Sequence, residues 1–449
     1  MRPLRTIASD PRALLGLVVL VGVVLRLIDA GARINEDEGY TWLVATAPSA
    51  GAFLTRLAHL ENTPPLFYLL LSVLPLSGEV WLRLPSIIAG ALSIPVLYAV
   101  VRPLLGVRAA LLAALGLAVA PFAVSYSDYS RGFMVAGLGV LVALLGAQRV
   151  AAGADRRWWW AYALGGAWAL YSEYYAGIYL AAIVGALLVL GAPRRRDVLL
   201  FGAIPFLAFL PWVPELIRSV NDLGRTKLEL AASTPSFPLV RDAIVPLFFG
   251  EHGAAASATL RSLQALLVAG VLAFACVRVW RFSSRAAFWL LCGVMSGAVL
   301  MYLLATALDT NIFRERYMTT VIPFAAASLA GGVTTLPWRF AVPAVATVLA
   351  VLGIAIVVAR SGREYEPDVP AAIALVREHG AATILTNSSE VVFYGRRLHV
   401  VLDRPFGVGT GERTCRPRCV VIDDARFGGV RPGLGFSVRL GQLVIANAS

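Results

Sequence analysis

Long apolar runs separated by short polar segments repeat along most of the chain. The first run covers residues 13–25, and the next uninterrupted one covers residues 84–101. A membrane-spanning helix needs about 20 predominantly apolar residues. The pattern therefore predicts an all-α polytopic membrane protein with about eleven spans. The remaining predicted spans are residues 109–124, 132–148, 158–171, 174–191, 197–213, 262–280, 286–308, 317–336 and 340–359.

Two shorter apolar segments, residues 47–60 and 64–76, are of a different kind. The first contains Arg56 and His59, and the second contains three prolines. Apolar segments of about 10–14 residues are more often interfacial or re-entrant than membrane-spanning. We therefore expect both to form helices that lie on the outer face of the membrane.

The composition agrees with this class of protein, because 58% of the 449 residues are hydrophobic and only 15% are charged. The net charge of +12 does not indicate nucleic acid as a partner. The basic residues form short clusters between apolar runs, which is typical of topology signals rather than of a nucleic-acid surface.

These basic clusters also predict the orientation of the chain. If residues 64–76 do not span, the clusters after the first outer loop, including residues 194–196, fall on the cytoplasmic side, as the positive-inside rule requires. The N-terminus is then cytoplasmic and the segment after residue 359 is extracytoplasmic. We expect the first run to be an uncleaved helix; a signal peptide cleaved near Ala30-Gly31-Ala32 is the alternative.

Two parts follow from this organisation: a transmembrane domain, residues 1–359, and a small extracytoplasmic α/β domain, residues 360–449. In the second part Asp403, Asp423 and Asp424 stand at strand ends, where a functional site is one interpretation and turn formation is the more ordinary one. The spacing of Cys415 and Cys419 permits a disulfide outside the cytoplasm. The predicted elements are a helix over residues 369–379 and strands over residues 383–385, 398–402, 419–422 and 443–446.

Polar side chains that could perform chemistry gather on the predicted outer side. A carboxylate at the membrane surface can act as a general base, and arginines there can bind a lipid-linked phosphate and stabilise it as a leaving group. A solvated loop and snorkelling arginines are the ordinary alternatives. The chain has no Walker A loop and no dinucleotide fingerprint, so an activated donor would reach this side on a lipid. The residues are Asp37, Glu38, Arg83, Asp128, Arg131, Arg314 and Arg316.

Five segments follow one another in a recognisable order: DEGY at 37–40, NTPPLFY at 62–68, WLRLPS at 81–86, residues 126–133, and RYM at 316–318 with the following Ile322-Pro323. Taken in this order, they resemble the bacterial GT-C glycosyltransferases of the protein-mannosyltransferase and aminoarabinose-transferase type, which is glycosyltransferase family 39. The resemblance extends over residues 12–330 and leaves the C-terminal segment poorly matched.

This resemblance implies a sugar donor linked to polyprenyl phosphate and transfer on the extracytoplasmic face. An aspartate of the first outer loop is the catalytic base in such enzymes, which matches Asp37, and Glu38 is its usual neighbour. Arg131 matches the arginine of the second outer loop. Arg83 and Arg316 match recurring basic positions, so all three arginines are candidates for binding the donor phosphate.

The sequence departs from the family pattern at two places. Thr63 stands where many relatives have His, so no role of that His is transferred. The second loop reads Ser-Asp-Tyr-Ser-Arg, where relatives often read Ser-Gln-Glu-Ala-Arg, so Asp128 is only a candidate second acid. A divalent metal would need at least two well-placed carboxylates, so such a metal stays open but is not supported by the sequence, and no other cofactor is indicated.

The sequence thus predicts a glycosyltransferase of the bacterial plasma (inner) membrane that uses Asp37 as base and inverts the anomeric carbon. The sugar, hexose or pentose, and the acceptor, a protein, lipid or glycan, stay open. Residues 214–261 are either a lid or a plain loop. A flippase or transporter of lipid-linked sugars is the main alternative, but transporters place ionisable groups near the bilayer midplane. A membrane-anchored binding protein that uses its C-terminal segment is the third hypothesis.

Overall fold

The structure is a computed structural model, and its contacts divide the chain into two units. The first comprises Met1–Ala30, Thr63–Phe67 and Arg83–Ser361, and the second comprises Gly31–Asn62, Tyr68–Leu82 and Gly362–Ser449. The described residues are 10–61, 63–191, 194–226, 236–249, 257–307, 315–337, 339–360, 369–378, 383–386, 389–395, 399–402, 419–424, 437–440 and 443–447.

Helices make up nearly all of the described part of the first unit. In chain order the α-helices of the described residues are α1 Pro11–Leu27, α2 Glu36–Ala45, α3 Ala50–Leu60, α4 Leu66–Ser72, α5 Glu79–Val119, α6 Pro121–Ser127, α7 Phe133–Ala151, α8 Trp158–Ser172, α9 Ala176–Leu190, α10 Arg195–Phe209, α11 Val213–Thr226, α12 Phe237–Phe249, α13 Ala258–Phe282, α14 Ser296–Ala307, α15 Val321–Thr334, α16 Ala341–Arg360, α17 Val369–Glu378 and α18 Ser389–Tyr394. A single three-residue α-helical turn, Arg285–Ala287, follows α13 and is left unnumbered. Short turns of other helix types cover Leu210–Trp212, Phe288–Gly293 and Glu315–Met318.

Several of these helices have the length and composition of membrane spans. In the described part of the chain five segments are long and apolar enough to cross a bilayer, and three shorter apolar helices accompany them. The predicted helical, multi-pass membrane protein is therefore confirmed, whereas the number of about eleven spans stays a prediction. The five long segments are Glu79–Val119, Phe133–Ala151, Arg195–Asn221, Ala258–Phe282 and Arg285–Ala307.

Helix α5 covers the second predicted span and most of the third. The stretch is broken at Gly106, whose φ of 84° and ψ of 173° are not helical. A positive φ favours glycine, and Gly106 falls between Arg102 and Arg108 at the predicted cytoplasmic turn. Pro121 then opens α6, a position where its missing N–H costs nothing within the new helix.

The segment predicted as one outer loop, residues 214–261, contains most of α11, all of α12 and the start of α13. Helix α11 is amphipathic: Glu215 and Arg218 form an ion pair on one face, while Ile217 and Val220 are exposed. In α12, Arg241 pairs with Asp242 at 2.8 Å and donates to the Ala258 carbonyl at 3.2 Å. The proline and small-residue content of this segment hid these short helices from the sequence analysis. Whether the segment closes as a lid stays a hypothesis.

Helices α7 and α8 pack with direct backbone contact, which small residues permit. A Cβ atom at Gly139 would lie 2.7 Å from the Gly165 carbonyl oxygen, and one at Gly146 would lie 2.6 Å from the Tyr162 nitrogen. Close approach of this kind is how small residues drive helix association in membranes, where apolar surface alone gives little preference.

Gly139→Ala is therefore expected to destabilise the protein, because the added methyl group meets the backbone of α8, which cannot rotate away. Overpacking of this kind typically costs about 1–3 kcal/mol. The measurement is the thermal unfolding midpoint of purified protein in detergent. Gly137→Ala is the control, because a Cβ atom there meets nothing within 4 Å on the same helix. Equal midpoints for the two variants would contradict the prediction.

The second unit combines the first outer loop with the C-terminal segment. Helices α2 and α3 belong to it, and Arg56 of α3 donates from Nη1 to the Leu43 carbonyl of α2 at 2.6 Å. Helix α3 lies within the predicted interfacial segment 47–60, and α4 lies within the segment 64–76. The first outer loop and the C-terminal segment are far apart in sequence, so the sequence pattern did not indicate that they form one unit. The predicted boundary between residues 359 and 360 stays a prediction.

The described residues of the C-terminal segment form helices α17 and α18 and a five-stranded sheet of order β2-β1-β3-β5-β4. Strand β1 pairs in parallel with β2 and β3, whereas β5 pairs antiparallel with β3 and β4. Asp403 and Cys415 lie outside the described residues. The strands are β1 Thr383–Thr386, β2 His399–Leu402, β3 Cys419–Asp424, β4 Ser437–Leu440 and β5 Leu443–Asn447.

Candidate functional site

The predicted acidic residues form the first turn of α2. Asn35 is the N-cap, and its Oδ1 accepts a hydrogen bond from the Glu38 backbone N–H at 3.0 Å. The Glu38 carboxylate accepts in return from the Asn35 N–H at 3.2 Å, which completes a capping box. Glu38 is only 1% exposed. Its described contacts therefore fix the start of the helix, and its catalytic role stays a prediction.

Asp37 differs from the carboxylates on either side of it. Glu36 and Glu38 are buried, whereas Asp37 is partly exposed. Its backbone carbonyl accepts from the Thr41 hydroxyl at 3.1 Å, within the helix. The positive end of a helix dipole stabilises a carboxylate in the first turn. Of these three acids, Asp37 is thus the one whose side chain a substrate could reach.

Tyr40 joins this acidic turn to a more distant carboxylate. Burial raises the pKa of Tyr40 well above its usual range, and the neighbouring carboxylates of Glu36, Glu61 and Asp37 raise it further. Its hydroxyl also donates a hydrogen bond to Glu36. Tyr40 therefore stays protonated at any physiological pH and serves as a hydrogen-bond donor among the acids.

The second outer loop lies in the first unit, where Asp128 and Arg131 are both buried. Asp128 ends α6, with its N–H donating to the Val124 carbonyl. The Arg131 carbonyl accepts from the Ser86 hydroxyl at 2.9 Å, and the Arg131 N–H donates to the Tyr129 carbonyl at 2.8 Å. The loop is therefore anchored to α5, and both predicted side chains belong to the interior of the unit.

Arg316 lies near this loop, on the short helical turn Glu315–Met318. The Tyr317 ring contacts the Phe133 ring at 6.1 Å and the Tyr175 ring at 4.1 Å between centroids. Phe133 follows Arg131 by two residues, and Tyr317 directly follows Arg316. The contact between the two rings therefore brings the segments that carry Arg131 and Arg316 together.

Glu173 was not singled out by the sequence analysis, which read it as part of a two-residue outer loop. It is 4% exposed, and a Cβ atom at Gly132 would lie 3.3 Å from its Oε1. Its carboxylate and the Arg316 guanidinium both act electrostatically on the Tyr175 hydroxyl. The sequence did contain a signal for Glu173. It is a carboxylate between two predicted spans that are separated by only two residues, which is too short a connection for a solvated loop.

Arg83 is buried and lies at the end of α1. Its Nη1 donates to the Asp29 carbonyl at 2.8 Å and to the Ala30 carbonyl at 3.3 Å. These carbonyls belong to the turn that follows α1, and the arginine satisfies backbone acceptors there. These contacts are structural, and phosphate binding by Arg83 stays a prediction.

Arg26 is a second residue that the sequence analysis missed, and it is 0% exposed. It donates to the carbonyls of Ala118 at 3.0 Å and Leu117 at 3.2 Å. Pro121 has no N–H to offer to the Leu117 carbonyl four residues earlier, so Arg26 replaces that missing bond. Its Nε donates to the Ser127 hydroxyl at 2.9 Å, next to Asp128. The signal was an ionisable residue directly after the first apolar run and before the apolar residues Leu27 and Ile28.

An apolar cavity of about 150 Å³ lies between helices of the first unit. Its lining includes Leu112 and Gly116 of α5, Pro121 of α6, and Ile322 and Ala326 of α15. Helix α15 begins five residues after Arg316. Among the described residues, no group of three or more His, Cys, Asp and Glu side chains is placed to hold a metal ion.

The comparisons with known proteins agree on one fold. A family model for dolichyl-phosphate-mannose-protein mannosyltransferase matches residues 61–217. The crystal structure of apo ArnT from Cupriavidus metallidurans is similar with a TM-score of 0.64 at 16% identity, over 96% of this chain and 97% of that chain. ArnT bound to undecaprenyl phosphate gives a TM-score of 0.61 at 17% identity, over 96% and 97%.

A third similar structure is the archaeal oligosaccharyltransferase AglB from Archaeoglobus fulgidus in complex with an inhibitory peptide and a dolichol-phosphate. Its TM-score is 0.52 at 14% identity, over 93% of this chain and 69% of that chain. No curated protein matches the sequence. The chain has the GT-C fold, and its resemblance to GT-C glycosyltransferases of the protein-mannosyltransferase and ArnT type is confirmed.

Proposed function

We propose that this protein is a membrane glycosyltransferase that transfers a sugar from a polyprenyl-phosphate donor to an acceptor on the extracytoplasmic face. The observation that carries the proposal is the ArnT-like fold over nearly the whole chain, and one of those ArnT structures holds undecaprenyl phosphate. The sugar class and the acceptor, a protein, lipid or glycan, stay open, since the relatives include both ArnT and an oligosaccharyltransferase.

Asp37 is the general base in this proposal. It takes the proton from the acceptor hydroxyl or amine, whose heteroatom forms a bond to the anomeric carbon while the bond from that carbon to the phosphate oxygen breaks. The products are the glycosylated acceptor and polyprenyl phosphate, and a single displacement inverts the anomeric configuration. The partial exposure of Asp37 beside two buried acids supports this assignment. Glu38 then orients the turn through the capping box.

The donor phosphate is assigned to Arg131 and Arg316, with Arg83 as a weaker candidate because its described bonds go to backbone carbonyls. Guanidinium groups bind phosphate oxygens with paired hydrogen bonds and stabilise the charge on a leaving phosphate. The cavity beside α15 is lined by apolar side chains, which suits the first isoprene units of the donor's lipid tail. Asp128 remains a candidate second acid.

We further propose about eleven spans, a cytoplasmic N-terminus and an extracytoplasmic C-terminal α/β domain in a bacterial plasma membrane. The arginine clusters support this orientation, because they fall on the cytoplasmic side in this topology. Cysteine substitutions at Ser236 and Ser284, on opposite predicted sides, give the test. All four native cysteines, Cys276, Cys292, Cys415 and Cys419, are replaced by serine beforehand. A membrane-impermeant thiol reagent applied to intact spheroplasts should then label the first position and spare the second.

Transport of a lipid-linked sugar has one observation in its favour, the buried Arg26 near the end of helix α1. Transporters use such residues in substrate or ion pathways. Here, however, Arg26 donates to fixed helix-end carbonyls and to Ser127, so its described bonds are structural.

Sugar transfer by purified wild-type protein in lipid vesicles tests the proposal. Radiolabelled polyprenyl-phosphate sugars are supplied with a mixture of envelope acceptors, and release of polyprenyl phosphate is measured together with labelled acceptor. Coupled formation of both products supports a transferase. Movement of intact donor between leaflets without cleavage would instead establish the transporter.

Arg316→Gln and Arg131→Gln are each expected to raise the KM for the donor, because a charged hydrogen-bonding partner of the phosphate is lost. Hydrogen bonds to charged groups contribute about 1.5–3 kcal/mol, which corresponds to roughly 10- to 150-fold. The measurement is initial rate against donor concentration. Arg157→Gln is the control, since this arginine is 79% exposed and pairs only loosely with Asp155 at 3.7 Å. An unchanged donor KM in both variants would remove these arginines from the phosphate site.

A further inference from the structure

The first turn of α2, which carries Asp37, is held by a residue from the far end of the chain. The backbone N–H of Ile34 donates a hydrogen bond to the Tyr394 hydroxyl oxygen at 3.0 Å. Ile34 directly precedes Asn35, the N-cap of α2. The bond therefore fixes the chain at the point where the helix begins, three residues before Asp37.

A second contact joins the two helices further along. The rings of Phe393 and Trp42 meet edge to face, with centroids 5.6 Å apart and an interplanar angle of 89°. Phe393 is 0% exposed, and Val391 on the same helix is 0% exposed as well. Aromatic pairs in this arrangement contribute about 0.5–1.5 kcal/mol beyond the area they bury. Helix α18 thus contacts α2 near the beginning of α2, at Ile34, and near its end, at Trp42.

Helix α18 is itself fixed within the C-terminal segment. It follows β1 after two residues and precedes β2, the parallel neighbour of β1 in the sheet. It also contacts α17, whose residues Ala372, Ile373 and Val376 are buried. The α2 turn is therefore tied to a packed element and not to another loop.

We propose that α18 is a positioning element for Asp37, with Tyr394 as its principal positioning residue. The C-terminal segment then belongs to the catalytic apparatus instead of forming a separate binding module. Helix ends fray unless their backbone groups are held, and displacement of a catalytic group by about 1 Å can cost about 100-fold in rate. The catalytic effect of Tyr394 rests on the proposed function. Its stabilisation of the first turn of α2 does not depend on that function.

Tyr394→Phe tests the inference, because it removes the hydroxyl and keeps the ring. Hydrogen exchange of the full-length protein is measured by mass spectrometry on a peptide that covers residues 34–38. Loss of one hydrogen bond of average strength predicts roughly fivefold faster exchange there. Exchange in β1 and β3 should not change. Tyr171→Phe is the matched control, because it likewise removes one hydrogen bond between a tyrosine hydroxyl and the backbone: the Tyr171 hydroxyl donates to the Ala208 carbonyl at 2.9 Å.

The kinetic readout separates positioning from stability. Tyr394→Phe is expected to lower kcat several-fold while the donor KM stays unchanged, because the proposed phosphate-binding arginines are untouched. Phe393→Leu, which removes the ring contact with Trp42, should change kcat in the same direction. Tyr171→Phe should leave both constants as in wild type.

Two results would overturn the inference. Unchanged exchange at residues 34–38 in Tyr394→Phe would show that α18 does not hold the turn. Faster exchange with kcat equal to that of the control would show that the contact is structural and does not position Asp37. If the wild-type protein transfers no sugar from any donor, the proposed function fails, and the exchange measurement alone still decides whether α18 holds α2.

Discussion

Asp37→Asn is expected to reduce kcat by about 10²–10⁴-fold, the range that general-base catalysis contributes, with little change in donor binding. Asparagine matches the carboxylate in shape but cannot accept a proton from the acceptor at neutral pH. The measurement is release of polyprenyl phosphate under saturating donor, with donor binding determined separately by isothermal titration.

Glu38→Gln provides the sharpest comparison with Asp37→Asn. Glutamine also supports a capping box, so the start of α2 should be preserved and turnover should stay within a few-fold of wild type. Asp155→Asn controls for the loss of a carboxylate elsewhere, because Asp155 is 62% exposed and lies on the predicted cytoplasmic side. A larger loss in Glu38→Gln than in Asp37→Asn would transfer the base to Glu38. Equal turnover in wild type and Asp37→Asn would remove Asp37 from the mechanism.

Arg26→Met is expected to give the largest loss of stability. Methionine has a similar length but leaves the Leu117 and Ala118 carbonyls without the buried donor that Arg26 provides. Each buried polar group left without a partner costs about 1–3 kcal/mol, so the total should reach several kcal/mol. The measurement is the thermal unfolding midpoint in detergent, determined from the fraction of folded protein as the temperature rises.

Two comparison variants keep this prediction interpretable. Arg26→Lys retains the charge but offers one ammonium group where the guanidinium reaches Ser127 and three carbonyls, so its midpoint should fall between those of wild type and Arg26→Met. Arg12→Met changes an exposed arginine at the other end of α1 and should leave the midpoint unchanged. A midpoint for Arg26→Met equal to that of Arg12→Met would show that the buried hydrogen bonds do not matter to stability.

Arg26 also anchors the start of the second outer loop through its hydrogen bond to Ser127. Gly90 on α5 leaves the space in which Arg26 and Ser127 meet, because a Cβ atom there would lie 2.8 Å from Arg26 Nε and 2.1 Å from Ser127 Oγ. Ser127 directly precedes Asp128 and lies four residues before Arg131. One buried arginine thus joins the end of the first span to the loop that carries two of the predicted site residues.

The sequence by itself determined the class of the protein. Apolar runs of bilayer length, arginine clusters between them and the ordered segments from DEGY to RYM were enough to predict a multi-pass GT-C fold. These signals are local or periodic, so no knowledge of distant contacts was needed. The same local signals placed Asp37 just after the first predicted span, whereas its position in the first turn of helix α2 appears only in the structure.

The tertiary structure decided which side chains have partners and which stay accessible. The hydrogen bonds of Arg26 to Ser127, Ala118 and Leu117 cross about 90–100 residues of sequence, and Tyr394 reaches Ile34 across 360. No local pattern encodes such pairings, because they depend on how helices pack and on which carbonyls a proline leaves without a donor. For the same reason, the burial of Glu38 in a capping box and the partial exposure of Asp37 beside it appear only in the folded chain.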